Sequence, residues 1–179
     1  MKKAFLVVGA EDSGTKMVTQ ILANHGCHGQ NVIVDNEQAV LNAIEKKLPL
    51  ESDPIVVRLS MPHGGQWYDI ENFIWTLRCM GYQTTTIVTV RDWVANMRSQ
   101  CNDQTHAFTH EHSVYKLQKA YKMIFAGLSA VTTDFFMVTY ESIMMEPKEI
   151  MHWIVWRCGL NYDEAKCPEI HNANKKWYK

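Results

Sequence analysis

One stretch near the amino terminus restricts the fold of this chain more than any other. An apolar run from Ala4 to Val8 ends at Gly9, and a short polar loop follows that carries Gly14, Thr15 and Lys16. Apolar residues then recur at helical spacing from position 17 to position 22. In a strand–loop–helix unit of this kind, the backbone N–H groups of the loop converge on one point, and the helix dipole adds positive potential there. The stretch therefore predicts a cradle for a phosphate-like anion.

The loop is close to the Walker pattern G-x-x-x-x-G-K-[ST], with its last two positions exchanged. Gly14 allows the backbone to approach an anion closely, Thr15 offers a hydroxyl, and Lys16 supplies a positive charge. The alternative is an ordinary strand-to-helix turn at the start of an α/β domain.

The rest of the chain alternates between strand and helix patterns. Further strands are predicted at Ile55–Ser60, Thr84–Val90 and Phe135–Thr139. The predicted helices cover residues 14–25, 37–47, 67–80, 93–100, 114–128 and 146–159, with an edge strand or a turn at 31–34 and a loop at 106–112. We therefore predict one domain over residues 1–179 with a P-loop NTPase-like fold. It is a three-layer α/β/α arrangement around a parallel sheet of about four or five strands.

Charge and composition restrict the function classes. The formal net charge is −1, which favours neither nucleic acid nor an anionic lipid surface as partner, and no apolar run approaches the length of a membrane span. The five cysteines are scattered without a C-x-x-C motif, and no signal peptide is expected, so we predict a cytoplasmic protein with reduced thiols. The histidines at positions 106, 110 and 112 raise the idea of a metal site, but their spacing favours a solvated loop.

Three separated segments, in order along the chain, resemble the sulfotransferase family. The segment Asp12-Ser13-Gly14-Thr15 resembles the family's 5′-phosphosulfate loop, in which a basic residue precedes S-G-T. The segment from Val90 to Ser99 resembles its 3′-phosphate motif, an arginine at a strand end followed by a serine eight residues later. The stretch from Val138 to Leu160 resembles the family's R-Y-E-D-L … P … L-G-L segment.

The resemblance implies a binding site for 3′-phosphoadenosine 5′-phosphosulfate (PAPS) and for its product 3′-phosphoadenosine 5′-phosphate (PAP). Arg91 and Ser99 match the positions that bind the 3′-phosphate, and an arginine at a strand end can clamp such a group bidentately. The alternative for that pair is a salt bridge at a helix start and a surface hydroxyl. The 5′ end is assigned, by the same resemblance, to Ser13, Gly14, Thr15, Lys16 and Met17.

Catalytic positions are also implied by the resemblance. Residues 58–62 resemble the family stretch K-T-H-L-P, whose histidine is the general base. Arg58 matches the lysine, but Ser60 stands at the histidine position, so His63 in the following loop is the candidate base, with Lys16 as a second cation at the phosphosulfate. A second departure is Asp12, which stands where the family has a basic residue.

The leading hypothesis is a PAPS-dependent sulfotransferase that moves a sulfuryl group to a hydroxyl or amine, on a small molecule or a glycan, and needs no metal. One alternative is a P-loop nucleotide kinase or phosphotransferase, although no aspartate ends an apolar strand as a magnesium-binding partner should. Another is a nucleotide-binding relative without catalytic activity, which Asp12 and Ser60 favour. The sequence does not identify the acceptor or the oligomeric state.

Overall fold

The chain alternates strands and helices in the order that the sequence predicts. The computed structural model of the protein describes residues 1–29, 53–62, 67–102, 110–131 and 133–172. Its strands are β1 (Lys2–Ala10), β2 (Ile55–Met61), β3 (Tyr82–Val90) and β4 (Asp134–Thr139). Its helices are α1 (Thr15–Asn24), α2 (Ile70–Cys79), α3 (Trp93–Asn102), α4 (His110–Ala130), α5 (Tyr140–Met145) and α6 (Pro147–Arg157), followed by a short 3₁₀ turn at Glu164–Lys166.

The strands form one parallel sheet in the order β2-β1-β3-β4. Gly9 at the end of β1 pairs with Ser60 of β2 on one side and with Thr89 of β3 on the other. Because parallel strands end at the same edge of a sheet, the loops that follow β1, β2 and β3 start side by side. Ligands of open α/β sheets bind at this carboxyl edge.

Helices cover both faces of the sheet, so the fold has three layers. On one face α2 and α4 pack against the side chains of residues such as Leu6 and Val8. On the other face α1 and α6 pack against Phe5 and Val7. Strand β1 is buried from Ala4 to Ala10, as expected for a central strand of a parallel sheet that is covered on both sides.

The structure confirms the predicted α/β fold with a parallel sheet, which has four strands in the described residues. The predicted loop at 106–112 is wrong at its end, because α4 already begins at His110. The helix predicted at 67–80 starts later, at Ile70, because the Asp69 side chain accepts a hydrogen bond from Asn72 N–H and caps it. The short helix α5 was not predicted, and the elements predicted at 31–34 and 37–47 lie outside the described residues.

Among the described helices, none combines the length and the apolar character that crossing a lipid bilayer requires.

Candidate functional site

A cavity of about 820 Å³ lies at the carboxyl edge of the sheet, above β1, β2 and β3. The β1–α1 loop and the first turns of α1 form its floor, and residues from β2, α3, α5 and the carboxy-terminal segment form its walls. The lining residues are Glu11, Asp12, Gly14, Thr15, Lys16, Met17, Gln20, Arg58, Ser60, Arg91, Ser99, Gln100, Tyr140, Pro168, Glu169, Ile170 and His171.

The β1–α1 loop presents unpaired backbone donors to this cavity. Gly14 has φ +97°, a left-handed conformation that glycine adopts without strain, and its carbonyl accepts from Met17 N–H and Val18 N–H at the start of α1. Within the described residues, no acceptor takes the N–H groups of Gly14, Thr15 or Lys16. Three donors at a helix start, together with the helix dipole, make a site that favours an anion.

Strand β3 and helix α3 hold this loop through three consecutive residues. Arg91 Nη1 donates to the carbonyl oxygen of Asp12 at 2.9 Å, and Gln100 Nε2 donates to the carbonyl oxygen of Glu11 at 3.1 Å. The hydroxyls of Ser13 and Thr89 are 2.7 Å apart and fully buried. The loop is therefore fixed from the side of β3, by one buried contact and two partly buried ones.

Gly9 makes this close packing of loop and strand feasible. A Cβ atom at this position would lie 2.2 Å from Thr89 Oγ1 and 2.3 Å from Ser13 Oγ. Any larger residue would therefore push the loop away from β3, which explains the glycine at the end of β1.

Arg91 forms part of the cavity wall between the loop and α5. Its side chain is only 7% exposed, and its guanidinium carbon lies 4.7 Å from the centre of the Tyr140 ring. The acids near the strand ends have structural contacts, since Glu141 Oε1 accepts from Asp92 N–H and Asp92 Oδ1 accepts from Ala95 N–H to cap α3. Arg91 is thus held in place with its guanidinium facing the cavity.

Strand β2 forms the opposite wall with Arg58 and Ser60. The Ser60 hydroxyl lies 2.7 Å from the Thr15 hydroxyl, which joins β2 to the first turn of α1. Arg58 is half-buried, and burial lowers the pKa of its guanidinium from the ordinary value. Arg58 lines the same cavity as Arg91, so two cationic side chains are available to an anionic ligand.

Most of the residues that the sequence assigned to the site meet at this cavity. Gly14, Thr15, Lys16, Met17, Arg58, Arg91 and Ser99 all line it. Ser13 does not, because its side chain is buried against Thr89 and its N–H donates to the Ala10 carbonyl. His63 lies outside the described residues.

Asp12 places a carboxylate within the β1–α1 loop, at the candidate anion site. It is exposed, lines the cavity, and has φ +63°, a left-handed conformation that aspartate tolerates better than most residues. Its negative charge opposes an anionic ligand, whereas the exposed Lys16 next to the loop attracts one.

Three parts of the site were missed by sequence reasoning. Gln100 holds the loop, Tyr140 stacks on Arg91, and residues 168–171 close one side of the cavity, where the Tyr140 hydroxyl donates to the His171 carbonyl at 3.2 Å. Tyr140 lies in the stretch that resembles the family's R-Y-E-D-L segment, but no role in the site was predicted for it. For Gln100 and residues 168–171 the sequence carries no signal, because neither belongs to a segment that resembles a known motif.

The idea of a metal site on the histidines finds no support in the part of the chain that the structure describes, where no group of three histidine, cysteine or acidic side chains lies close enough to hold an ion. His112 is exposed on α4, and His106 is outside this part of the chain.

Solved structures identify the fold. The chain superimposes with a TM-score of 0.64 on the sulfotransferase domain of the olefin synthase from Synechococcus PCC 7002, at 13% sequence identity, over 100% of this chain and 85% of that domain. This chain has the sulfotransferase fold. Mouse sulfotransferase SULT7A1, solved in complex with PAP, matches with a TM-score of 0.58 at 9% identity over 93% of this chain. The match spans 62% of the SULT7A1 chain, so this chain is considerably shorter than SULT7A1.

No protein-family model matches the sequence, and no curated protein matches it significantly. At identities this low, the structural likeness establishes the fold and leaves the chemistry to be argued from the site.

Proposed function

We propose that this protein binds PAPS and transfers its sulfuryl group to a hydroxyl or amine acceptor. The observation that carries the proposal is that two separate anion-binding features share one cavity. Gly14, Thr15 and Lys16, whose N–H groups meet no acceptor in the part of the chain that the structure describes, line it together with Arg91 and Ser99. A nucleotide with a phosphate on each side of its ribose fits this pair of features better than a nucleotide with a single phosphate chain does.

The 5′ end of the nucleotide would be held by the loop. The N–H groups of Gly14, Thr15 and Lys16 would donate to its oxygens, and the Lys16 ammonium would add a point charge. Met17 lines the same side of the cavity and would pack against the ribose or the base. The hydroxyl of Ser13 faces Thr89 instead, so its part would be to fix the loop.

The 3′-phosphate would be held by Arg91 and Ser99. Arg91 is desolvated and stacked on Tyr140, and a guanidinium in such surroundings binds a phosphate strongly because little water competes with it. Ser99 lies two turns into α3 and would donate its hydroxyl to the same group.

The nucleotide supplies the sulfuryl group when it is bound. An acceptor oxygen or nitrogen would form a bond to sulfur as the bond from sulfur to the bridging phosphate oxygen breaks, with PAP as the leaving group. Lys16 and Arg58 would stabilise the charge that develops on that oxygen. His63 is the residue that we propose as the base that takes the acceptor's proton.

Two further facts support the proposal. The structural neighbour SULT7A1 was solved with PAP, which is the product that this reaction would release. All five cysteines are free thiols, which fits the reducing cytoplasm that we propose as the compartment.

One observation favours a second candidate, a protein that binds the nucleotide without transferring sulfate. Ser60 stands where the sulfotransferase pattern has its basic histidine, and the serine hydroxyl is hydrogen-bonded to Thr15. A serine hydroxyl is a poor base at neutral pH, so this candidate predicts tight PAP binding with no turnover on any acceptor.

The test is isothermal titration calorimetry with PAP on the wild type and on Arg91→Ala. We expect the wild type to prefer PAP over adenosine 5′-phosphate and magnesium-ATP, and Arg91→Ala to weaken PAP binding by about 2 kcal/mol or more. Arg78→Ala, which removes an arginine on α2 that does not line the cavity, should bind like the wild type.

A preference for magnesium-ATP, or no binding of any of these nucleotides, would overturn the proposal. Once PAP binding is established, release of PAP from PAPS in the presence of simple phenols and amines separates the enzyme from the inactive relative.

A further inference from the structure

Three neighbouring residues of the anion-binding loop are each tied to the unit formed by β3 and α3. The carbonyl of Glu11 is held by Gln100, the carbonyl of Asp12 by Arg91, and the hydroxyl of Ser13 by Thr89. Thr89 lies near the end of β3, and Arg91 directly follows that strand. Gln100 reaches the loop from the third turn of α3.

Gln100 is buried, with its side chain oriented for the hydrogen bond to the Glu11 carbonyl. Its side chain is 3% exposed, and Nε2 donates to the Glu11 carbonyl at 3.1 Å and to Asn96 Oδ1, one turn earlier on α3, at 3.2 Å. Asn96 is itself 1% exposed, so its hydrogen bond to Gln100 is buried and restrains the orientation of the Gln100 amide. Oε1 of Gln100 meets no donor in the described residues, so all of the polar contacts of this amide come from its N–H₂ group.

The held carbonyls determine where the loop's donors point. A peptide unit is planar and trans, so the C=O of one residue and the N–H of the next point in opposite directions. With the Glu11 and Asp12 carbonyls held on the β3–α3 side, both peptide planes are fixed before the chain reaches Gly14. The N–H groups of Gly14, Thr15 and Lys16, which have no acceptor among the described residues, follow directly, and all three residues line the cavity.

We propose that Gln100 is a positioning residue for the nucleotide's 5′ end. By holding the Glu11 carbonyl, it keeps the loop in the conformation whose N–H groups meet the 5′-phosphate, without contacting that phosphate itself. This inference rests on the proposed nucleotide-binding function.

The proposal is tested by comparing PAP with adenosine 3′-phosphate, which lacks the 5′-phosphate. In Gln100→Met the side-chain volume is kept and the donor is lost, so we expect PAP to bind about tenfold more weakly and adenosine 3′-phosphate to bind as it does to the wild type. Gln83→Met makes the same chemical change at an exposed position of β3 that does not line the cavity, and should leave both affinities unchanged.

The comparison separates positioning from general damage. An equal loss for both nucleotides would mean that Gln100 supports the whole domain, and unchanged PAP binding would mean that the loop holds its shape without it. Either result overturns the proposal. Gln100→Glu, which keeps the shape and faces the Glu11 carbonyl with an acceptor, should show the same selective loss and serves as the second variant if Gln100→Met folds poorly.

A measurement without ligand keeps the inference separate from the proposed function. Hydrogen–deuterium exchange of residues 10–17 should be faster in Gln100→Met than in the wild type, while exchange in β4 should be unchanged. If the wild type binds neither nucleotide, the proposed function fails. Unchanged exchange in the loop overturns the role of Gln100 in either case.

Discussion

The guanidinium of Arg91 donates to the carbonyl oxygen of Asp12 at 2.9 Å, so one arginine joins the end of β3 to the loop that follows β1. The same guanidinium is stacked on Tyr140 and lines the cavity. Arg91 therefore combines two roles, of which the sequence predicts only the binding of a phosphate. It is a candidate ligand for an anion, and it fixes the backbone of the neighbouring β1–α1 loop.

A lysine at position 91 should perform these tasks poorly. Arg91→Lys keeps the charge but loses the planar fork that lets one side chain hold the Asp12 carbonyl and also face the cavity. We expect PAP binding to weaken about tenfold and the free energy of unfolding to fall by about 1 kcal/mol, measured by calorimetry and by urea denaturation. Arg157→Lys, at an exposed ion pair with Asp134, should change neither quantity appreciably. Wild-type behaviour of Arg91→Lys would show that only its charge matters.

Removing the charge of Asp12 should strengthen anion binding. Asp12→Asn keeps a residue that tolerates the left-handed conformation at φ +63° and eliminates a negative charge at the cavity wall. Because this side chain is exposed and screened by water, we expect a gain of only about threefold in PAP affinity, decreasing with added salt. Asp69→Asn, at the cap of α2, is the matched control. Weaker binding in Asp12→Asn would indicate that the carboxylate itself contacts the ligand.

The hydroxyls of Thr15 and Ser60 should be energetically coupled. They are 2.7 Å apart and join α1 to β2 at the cavity floor. In a double-mutant cycle with Thr15→Val and Ser60→Ala, we expect a coupling free energy of about 1 kcal/mol in urea unfolding. A coupling free energy near zero would mean that hydrogen bonds to water replace the hydrogen bond between the two hydroxyls without a loss of stability.

Tyr121 should make the domain sensitive to alkaline pH. Its hydroxyl donates to the Thr89 carbonyl at 3.0 Å, and burial raises the pKa of Tyr121 from 10.0 to about 12. Above pH 10 the unfolded state loses this proton while the folded state keeps it, so the unfolded state binds fewer protons and stability falls as pH rises towards 12.

Replacing Tyr121 by phenylalanine removes this contribution to the pH dependence. Between pH 10 and pH 11 the free energy of unfolding of Tyr121→Phe should therefore decrease less than that of the wild type, by about 1 kcal/mol. Tyr115→Phe, at an exposed position of the same helix, should follow the wild type. Identical pH profiles for all three proteins would show that the Tyr121 hydroxyl is accessible to water in the folded state.

Much of the architecture could be predicted because it depends on local patterns. The β-branched and apolar runs of β1, β2 and β3 are mostly buried, and such runs are characteristic of parallel strands. The glycines around the first loop, with threonine and lysine after them, predicted an anion cradle, and Gly14, Thr15 and Lys16 do line a cavity. Boundaries were less accurate where a single side chain decides them, as Asp69 does for α2.

The sequence by itself determined the strands, most of the helices and the glycine-containing loop after β1, because each depends on residues a few positions apart. Only the tertiary structure decided that Arg91 and Gln100 hold that loop, that Ser60 bonds to Thr15, and that residues 168–171 close the cavity. The hydrogen bonds of Arg91 and Gln100 to the loop, and the one between Ser60 and Thr15, each join residues 45 or more positions apart. They arise only when the parallel strands align their carboxyl ends, and no local pattern in the chain encodes that alignment.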